Sequence, residues 1–172
     1  MNIFALEKFD DEGHKCTFYT VRLEDARYSE TDKFFIKYAK SKKLKKRFQE
    51  LAVFLTKKIG NEWGALEEFF RFENKAQALP PPGEHVIDEL TINYAGFPLR
   101  LYCLRMSDSL VVLFNGAEKT SSTAQGGMTS MAFHEANNFA TRITKALQDG
   151  DIYITSSQRE FLTFNHSQEI FL

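Results

Sequence analysis

Residues 99–116 constrain the fold more strongly than any other stretch of this sequence. They read LRLYCLRMSDSLVVLFNG, two strongly apolar runs joined by a polar turn at Ser107 and Asp108. Alternation along the first run predicts a strand with two faces, and the almost uninterrupted second run predicts a strand covered on both sides. One face of the first strand would carry Leu99, Leu101, Cys103 and Arg105, and the other Arg100, Tyr102 and Leu104.

The rest of the chain supplies further strands and helices around this hairpin. Residues 2–9 and 16–23 predict another hairpin, and a strand within residues 86–94 would complete a three-strand meander with residues 98–116. Apolar residues at helical spacing predict helices over residues 29–40, 44–59, 63–72 and 130–148, the first with a capping box of Ser29 and Asp32. Three prolines within residues 78–85 predict an extended connector.

These elements predict an α+β fold. We expect an antiparallel sheet with two to three helices packed before it and one C-terminal helix. A length of 172 residues suits one domain, which we assign to residues 1–150. Residues 151–172 would form a C-terminal tail that adds an edge strand or packs against a partner.

Charge is unevenly distributed along a nearly neutral chain. The formal net charge is −1, which argues against a protein that coats polyanions over its whole surface. Residues 40–58 nevertheless carry eight lysines and arginines against one acid, Glu50. On a helix these cations would form one basic face, which is either solvated, turned toward an acidic partner, or in contact with nucleic acid. The candidate nucleic-acid contacts are Lys42, Lys43, Lys45, Lys46 and Arg47, together with Arg105.

Several other classes of protein lack support in this sequence. No dinucleotide or nucleotide-triphosphate loop is present, and the run that starts at His134 and Glu135 has Asn138 where a zinc protease needs a second histidine. Two cysteines 87 positions apart read as buried thiols, so we expect neither metal nor cofactor. Without a leader-like or membrane-length apolar run, we expect a cytoplasmic protein with no membrane partner.

Three cations around the central hairpin raise the question of an anion site. If Arg100, Arg105 and Lys119 converge on one face, they would form a site for phosphate. The alternatives are plain structural roles. Arg100 would then pair with Glu89 on a neighbouring strand, and Lys119 would be an exposed turn lysine.

The order of elements around this hairpin resembles a known family. A strand LRLYCLR, a short turn, the strand SLVVLFNG, the segment AEKTSSTAQ and then an amphipathic helix resemble the RelE/HigB toxins, most closely their phage-derived branch. Two helices ahead of the sheet agree with that family. The resemblance covers residues 18–147, and its motif-like part is residues 98–125.

The resemblance implies a microbial-ribonuclease-like fold and a function in a toxin–antitoxin system. Toxins of this family cleave mRNA without metal, usually on the ribosome, and an antitoxin protein holds them inactive. By position, Arg100 matches the strand arginine and Lys119 the basic residue after the last strand, while Tyr102 would stack on a base or share in proton transfer. The nuclease hypothesis requires Arg100 and Lys119 to open into a common cleft. It fails if they lie on opposite sides of the sheet or are held by carboxylates with no open cleft between them.

In a second hypothesis the fold is the same, but the chain has no catalytic activity. The chain would then be a catalytically inactive binding module of the RelE type that contacts protein or nucleic acid.

Overall fold

The computed structural model describes residues 2–119 and 129–172. It is an α+β fold, as predicted. The helices are α1 (Glu30–Ala39), α2 (Lys45–Val53), a π-helix (Phe54–Trp63), a short 3₁₀-helix (Glu67–Phe69) and α3 (Thr129–Asp149). The strands are β1 (Phe4–Asp10), β2 (Thr17–Leu23), β3 (Arg71–Phe72), β4 (Gln77–Leu79), β5 (Glu84–Ile87), β6 (Leu90–Asn93), β7 (Leu99–Ser107), β8 (Leu110–Glu118), β9 (Ile152–Ile154), β10 (Phe161–Thr163) and β11 (Ile170–Phe171).

Seven of the strands form one mixed sheet in the order β11-β1-β2-β8-β7-β4-β3. Most neighbours are antiparallel, but β2 and β8 run parallel, with Thr17 opposite Leu110 and Thr20 opposite Leu113. The prediction of a purely antiparallel sheet is therefore wrong. A parallel pair needs a long crossover, and here the crossover is everything between residues 24 and 109.

Helices cover both faces of this sheet. One apolar cluster joins the sheet to α1, α2 and the π-helix, with Phe34, Leu51 and Ile59 fully buried. The other joins the opposite face to α3 and the C-terminal strands, with Phe139, Ile143 and Phe161 buried. Because both faces are covered, the central strand β8 is buried from Leu110 to Phe114, as its apolar run predicts.

The β7–β8 hairpin has the predicted alternation of faces. Leu101 and Cys103 belong to the α1–α2 cluster, and Tyr102 and Leu104 to the α3 cluster. The pairing shifts between Leu101 and Cys103. Gly116 lies beside this irregularity, where a Cβ atom would stand 1.9 Å from the carbonyl oxygen of Arg100. Glycine at this position therefore allows β8 to approach the backbone of Arg100.

The N-terminal elements also follow their sequence patterns. β1 and β2 form the predicted hairpin. At the start of α1 both bonds of the capping box are present, since the Ser29 hydroxyl accepts from the Asp32 backbone and the Asp32 side chain accepts from the Ser29 backbone. α3 also lies close to its predicted range, and Gly150 follows it with a φ of +79°.

Residues 44–72 differ from the prediction. The helix expected over residues 44–59 starts as α2, but it continues as the π-helix to Trp63. The helix expected over residues 63–72 does not form, because Gly64 adopts a φ of +83° and Ala65 donates its N–H to the carbonyl of Asp108. The chain then has one 3₁₀ turn and enters the sheet as β3 at Arg71.

The predicted three-strand meander is wrong in its first strand. Residues 84–93 fold into a separate hairpin of β5 and β6 around Asp88, whose φ is +53°. The place beside β7 is taken by β4, at the start of what the sequence presents as a connector.

The C-terminal segment packs on the α3 side. β9 and β10 form a hairpin, and β11 adds to the sheet edge beside β1. Among the described residues, no helix combines the length and apolar character needed to cross a bilayer.

Candidate functional site

Arg100 lies on β7, on the face covered by α3, and it is buried. Its Nη1 atom lies 3.0 Å from Oε1 of Glu73, and the two side chains are only 5% and 12% exposed. The same Glu73 oxygen lies 3.8 Å from Nε of Arg71 on β3. Strand register explains this convergence, because Arg71, Ala78 and Tyr102 are aligned across β3, β4 and β7 and Arg100 lies two residues before Tyr102.

This cluster has more donors than its carboxylate can accept. The Nε atoms of Arg71 and Arg100 are buried and donate no hydrogen bond within the described part of the chain. A guanidinium remains charged under all ordinary conditions, so these donors retain their positive charge. Buried polar donors without an acceptor are uncommon in folded proteins and call for an explanation, such as a ligand.

Lys119 adds a third cation whose charge interacts with this cluster. Its backbone N–H donates to the carbonyl of Pro98, which extends the β7–β8 ladder by one residue. Side chains alternate along a strand, so Lys119 points to the same face as Ala117, the partner of Arg100. Burial, followed by the positive charges of Arg100 and Arg71, lowers the pKa of Lys119, and the charge of Glu73 opposes this effect.

The position of Lys119 in the fold is favourable for a binding site. Lys119 follows the carboxyl end of β8, the strand that runs parallel to β2. After β2 the chain passes to α1 on one face of the sheet, and α3, which follows β8, lies on the other. Neighbouring parallel strands whose chains leave in opposite directions open a crevice at their carboxyl ends, where ligands of α/β proteins commonly bind. Lys119 adjoins this position between β2 and β8, whereas Arg100 and Arg71 lie on β7 and β3, on the other side of β8.

The predicted basic segment lies at the same end of the sheet, on its other face. Lys42, Lys43, Lys45, Lys46 and Arg47 are all exposed, around the start of α2. Lys43 forms a 2.9 Å ion pair with Glu118, the residue before Lys119, and Arg47 pairs with Glu50. The first turn of α2 has no acidic residue and no side-chain cap, so its cations face the positive end of the helix dipole.

Tyr102 and Arg105 lie away from this surface. Tyr102 is fully buried beneath α3, with its ring centre 6.0 Å from that of Phe133, so stacking on a base would require α3 to move. Arg105 lies on the opposite face of β7, where its Nε donates to the carbonyl of Ala65 and its guanidinium pairs with Asp108. Of the three hairpin cations, only Arg100 and Lys119 come together.

Two members of the cluster, Arg71 and Glu73, were not among the sequence-predicted residues. Both fall within or beside the segment that the sequence presents as a helix, so nothing in the pattern indicated that they face β7. The suggested partner of Arg100, Glu89, is also wrong, because it lies in the separate β5–β6 hairpin. Glu73 is instead held in the β3–β4 turn, where Asn137 of α3 accepts hydrogen bonds from the backbone of Lys75 and Ala76.

Three cations around one carboxylate can bind a further anion. Phosphate suits them best, since guanidinium and ammonium groups match its oxygens in geometry and charge. Among residues 2–119 and 129–172, no group of three His, Cys, Asp or Glu side chains is arranged to hold a metal ion. Both cysteines are buried, and burial raises the pKa of Cys16 to about 12, so neither offers a reactive thiolate. No protein-family model matches this chain, and no curated protein or solved structure matches it either.

Proposed function

We propose that this chain binds single-stranded RNA, with one phosphate of the strand bound by Arg71, Arg100 and Lys119. The observation that carries the proposal is the convergence of these three cations on a single carboxylate, with two buried guanidinium N–H donors left without an acceptor in the described residues. These donors are buried, so a phosphate would reach them only if the guanidinium groups turned outward; it would then accept from both and balance the excess positive charge.

The basic segment supports a polymer rather than an isolated phosphate. Lys43 pairs with Glu118, so the basic segment reaches the residue beside Lys119 around the end of the sheet. An extended polyanion can contact both groups, whereas a small phosphate compound contacts only the first. The resemblance of the β7–β8 hairpin to the RelE/HigB toxins makes RNA the expected polymer.

A binding experiment tests this proposal. The affinity of a labelled, unstructured RNA is measured by fluorescence anisotropy for the natural protein, for Lys119→Gln and for Lys15→Gln. Lys15 is an exposed lysine in the β1–β2 turn, at the opposite end of the sheet. We expect Lys119→Gln to weaken binding about tenfold, the scale of one charge-assisted contact, and Lys15→Gln to bind normally. Equal affinities for the three proteins would refute the proposal.

The second candidate function is metal-independent RNA cleavage by a cytoplasmic toxin under the control of an antitoxin. The observation in its favour is the lowered pKa of Lys119, because an ammonium that releases its proton more readily is a better general acid. The 2′-hydroxyl would form a bond to phosphorus as the bond to the 5′-oxygen breaks. Lys119 would protonate that oxygen, and water would take the 2′-proton.

We rank cleavage second because of the state of Arg100. Its guanidinium is already engaged by Glu73, so it would have to leave this partner to stabilise the charge that develops on phosphorus. The test is expression in bacteria. A toxin arrests growth. If the variants are as soluble as the natural protein, RNA cleavage by Arg100→Ala and by Lys119→Ala should each be at least ~10²-fold slower than cleavage by the natural protein. If expression is harmless and RNA binding is intact, the chain is a binding module without cleavage activity.

A further inference from the structure

A groove beside the basic segment is large enough to hold part of a ligand. It has a volume of about 520 Å³ and lies between the continuous α2–π helix and the β5–β6 hairpin. Its lining is Lys46, Gln49, Glu50, Val53, Phe54, Lys58, Thr91, Ile92, Asn93 and Tyr94. Ligand sites of small molecules commonly have volumes of about 300–1,000 Å³, so the groove falls within that range.

The floor of the groove is apolar, and part of it is open to solvent. Val53 is 52% exposed although it is a branched aliphatic residue on a helix. Next to it the ring of Tyr94 packs between those of Phe54 and Phe97, with ring centres 5.1 and 5.4 Å apart. Phe54 and Phe97 are buried and fix the ring of Tyr94 from behind, so the partly exposed Tyr94 and Val53 provide the apolar surface on which a nucleobase can lie.

The rim of the groove carries groups that fit the edge of a base and the phosphates beside it. Gln49 and Asn93 place side-chain amides there, and the side-chain oxygen of Asn93 accepts from the backbone of Ala95. Amides both donate and accept, as base edges require. Lys46 and Lys58 lie on the same rim, twelve residues apart along the helix. Glu50 also lines the groove, and Lys58 forms a 3.0 Å ion pair with Glu62.

A short series of contacts links the groove to the phosphate cluster around the end of the sheet. Lys43 meets Glu118, the neighbour of Lys119, and lies three residues before Lys46 of the groove. Arg47 lies over the ring of Phe97 at 5.9 Å, and Phe97 contacts Tyr94. A single extended strand that ran from Lys119 to Tyr94 would round this end of the sheet and cross the start of α2.

We infer that this groove binds an unpaired nucleotide of the same RNA strand whose phosphate binds at Lys119. The inference rests on the proposed function for the choice of RNA. The combination of an apolar floor, amides on the rim and lysines at both ends favours a nucleotide over an acidic peptide, which would use the lysines alone.

The test compares a ligand that reaches one site with a ligand that reaches both. An abasic RNA dinucleotide has the phosphate but no base and can fill the cluster only, whereas a longer unstructured RNA can also enter the groove. Val53→Glu places a negative charge in the groove at an exposed helical position. Val86→Glu makes the same change at a residue that is 66% exposed and lies on β5 outside the groove lining.

We expect Val53→Glu to weaken binding of the long RNA by at least about fivefold, the lower limit for one stacked base, and to leave dinucleotide binding unchanged. An abasic strand of equal length should bind the natural protein as weakly as the long RNA binds Val53→Glu. Lys119→Gln should weaken both ligands.

Each other outcome overturns a defined part of the scheme. If Val53→Glu and Val86→Glu bind the long RNA equally, the groove is not a nucleotide site. If the groove variant weakens binding and Lys119→Gln does not, the groove stands and the phosphate cluster fails. Absence of RNA binding by the natural protein refutes both. If poly-glutamate binds the natural protein as tightly as RNA does, and if Val53→Glu loses this binding, the groove is a site for an acidic protein partner.

Discussion

Glu73 and Arg100 form a buried ion pair between the β3–β4 turn and β7, with 3.0 Å between Oε1 and Nη1. Arg71 and Lys119 share the field of the same carboxylate. The group therefore contains three positive charges and one negative charge. The excess of positive charge is what we interpret as an anion site, and the four residues give it properties that can be measured.

Neutralising Glu73 should destabilise the protein strongly. Glu73→Gln leaves Arg100 buried without its counter-ion, a change that typically costs about 3–5 kcal/mol. Glu67→Gln is the matched control, because Glu67 contacts Arg105 at 3.7 Å but is 85% exposed, and its loss should change stability by less than about 0.5 kcal/mol. Urea unfolding followed by the fluorescence of the single tryptophan, Trp63, measures both variants.

Sulfate should partly restore the stability of Glu73→Gln, since an ion that binds only the folded state stabilises it. The gain in sulfate over chloride at equal ionic strength should be larger for Glu73→Gln than for the natural protein. Equal gains would mean that sulfate does not bind beside Arg100 in place of the missing carboxylate.

Lys119 should make the folded state less stable at neutral pH than at alkaline pH. Its pKa in the folded protein is lowered from 10.5 by burial and by Arg100 and Arg71, so the unfolded chain binds its proton more tightly. The penalty is fully present below the folded pKa, and it is lost as the pH rises from there to 10.5. Lys119→Gln should therefore be more stable than the natural protein at neutral pH and should lack this alkaline gain.

Urea unfolding at a series of pH values checks this prediction. A Lys119→Gln protein that is less stable at neutral pH, or that keeps the alkaline gain, would show that Lys119 is not held against the two arginines. The same variant should bind RNA more weakly, so one substitution would raise the stability of the protein and lower its affinity for RNA.

Lys46 should show the same opposition between stability and binding. It lies in the first turn of α2, where a positive charge meets the positive end of the helix dipole and no acidic residue offsets it. Lys46→Glu should stabilise the protein by about 0.3–1 kcal/mol. It should also weaken RNA binding and reduce the slope of log affinity against log salt by about one unit. Lys15→Glu, at the far end of the sheet, should leave that slope unchanged.

Local patterns predicted the elements that are stabilised by their own residues. The capping box at Ser29, the alternation along β7 and the stripe of α3 each depend on residues close together in sequence. These signals correctly placed Arg100 and Tyr102 on one face of the strand. Whether that face was covered could not be read from the alternation, and α3 buries Tyr102.

The errors arose where distant residues decide the structure. The parallel pairing of β2 with β8 joins segments about ninety residues apart, and no pattern within either segment indicates it. The segment with Arg71 and Glu73 has helical spacing, yet Gly64 and the bond from Ala65 to Asp108 direct it into the sheet. The carboxylate that engages Arg100 was therefore invisible to sequence patterns, whereas the proximity of Arg100 and Lys119 followed from the hairpin.

The central claim is that Arg71 and Arg100 donate to a bound phosphate, and the Nε–H resonances of the arginines report this most directly. A ¹H–¹⁵N NMR titration with an RNA dinucleotide should shift the Nε–H signals of both residues, which have no acceptor in the described residues. The Nε–H of Arg105 already donates to the carbonyl of Ala65 at 2.6 Å and should not move. If the dinucleotide binds while the signals of Arg71 and Arg100 stay in place, the cluster is not the phosphate site.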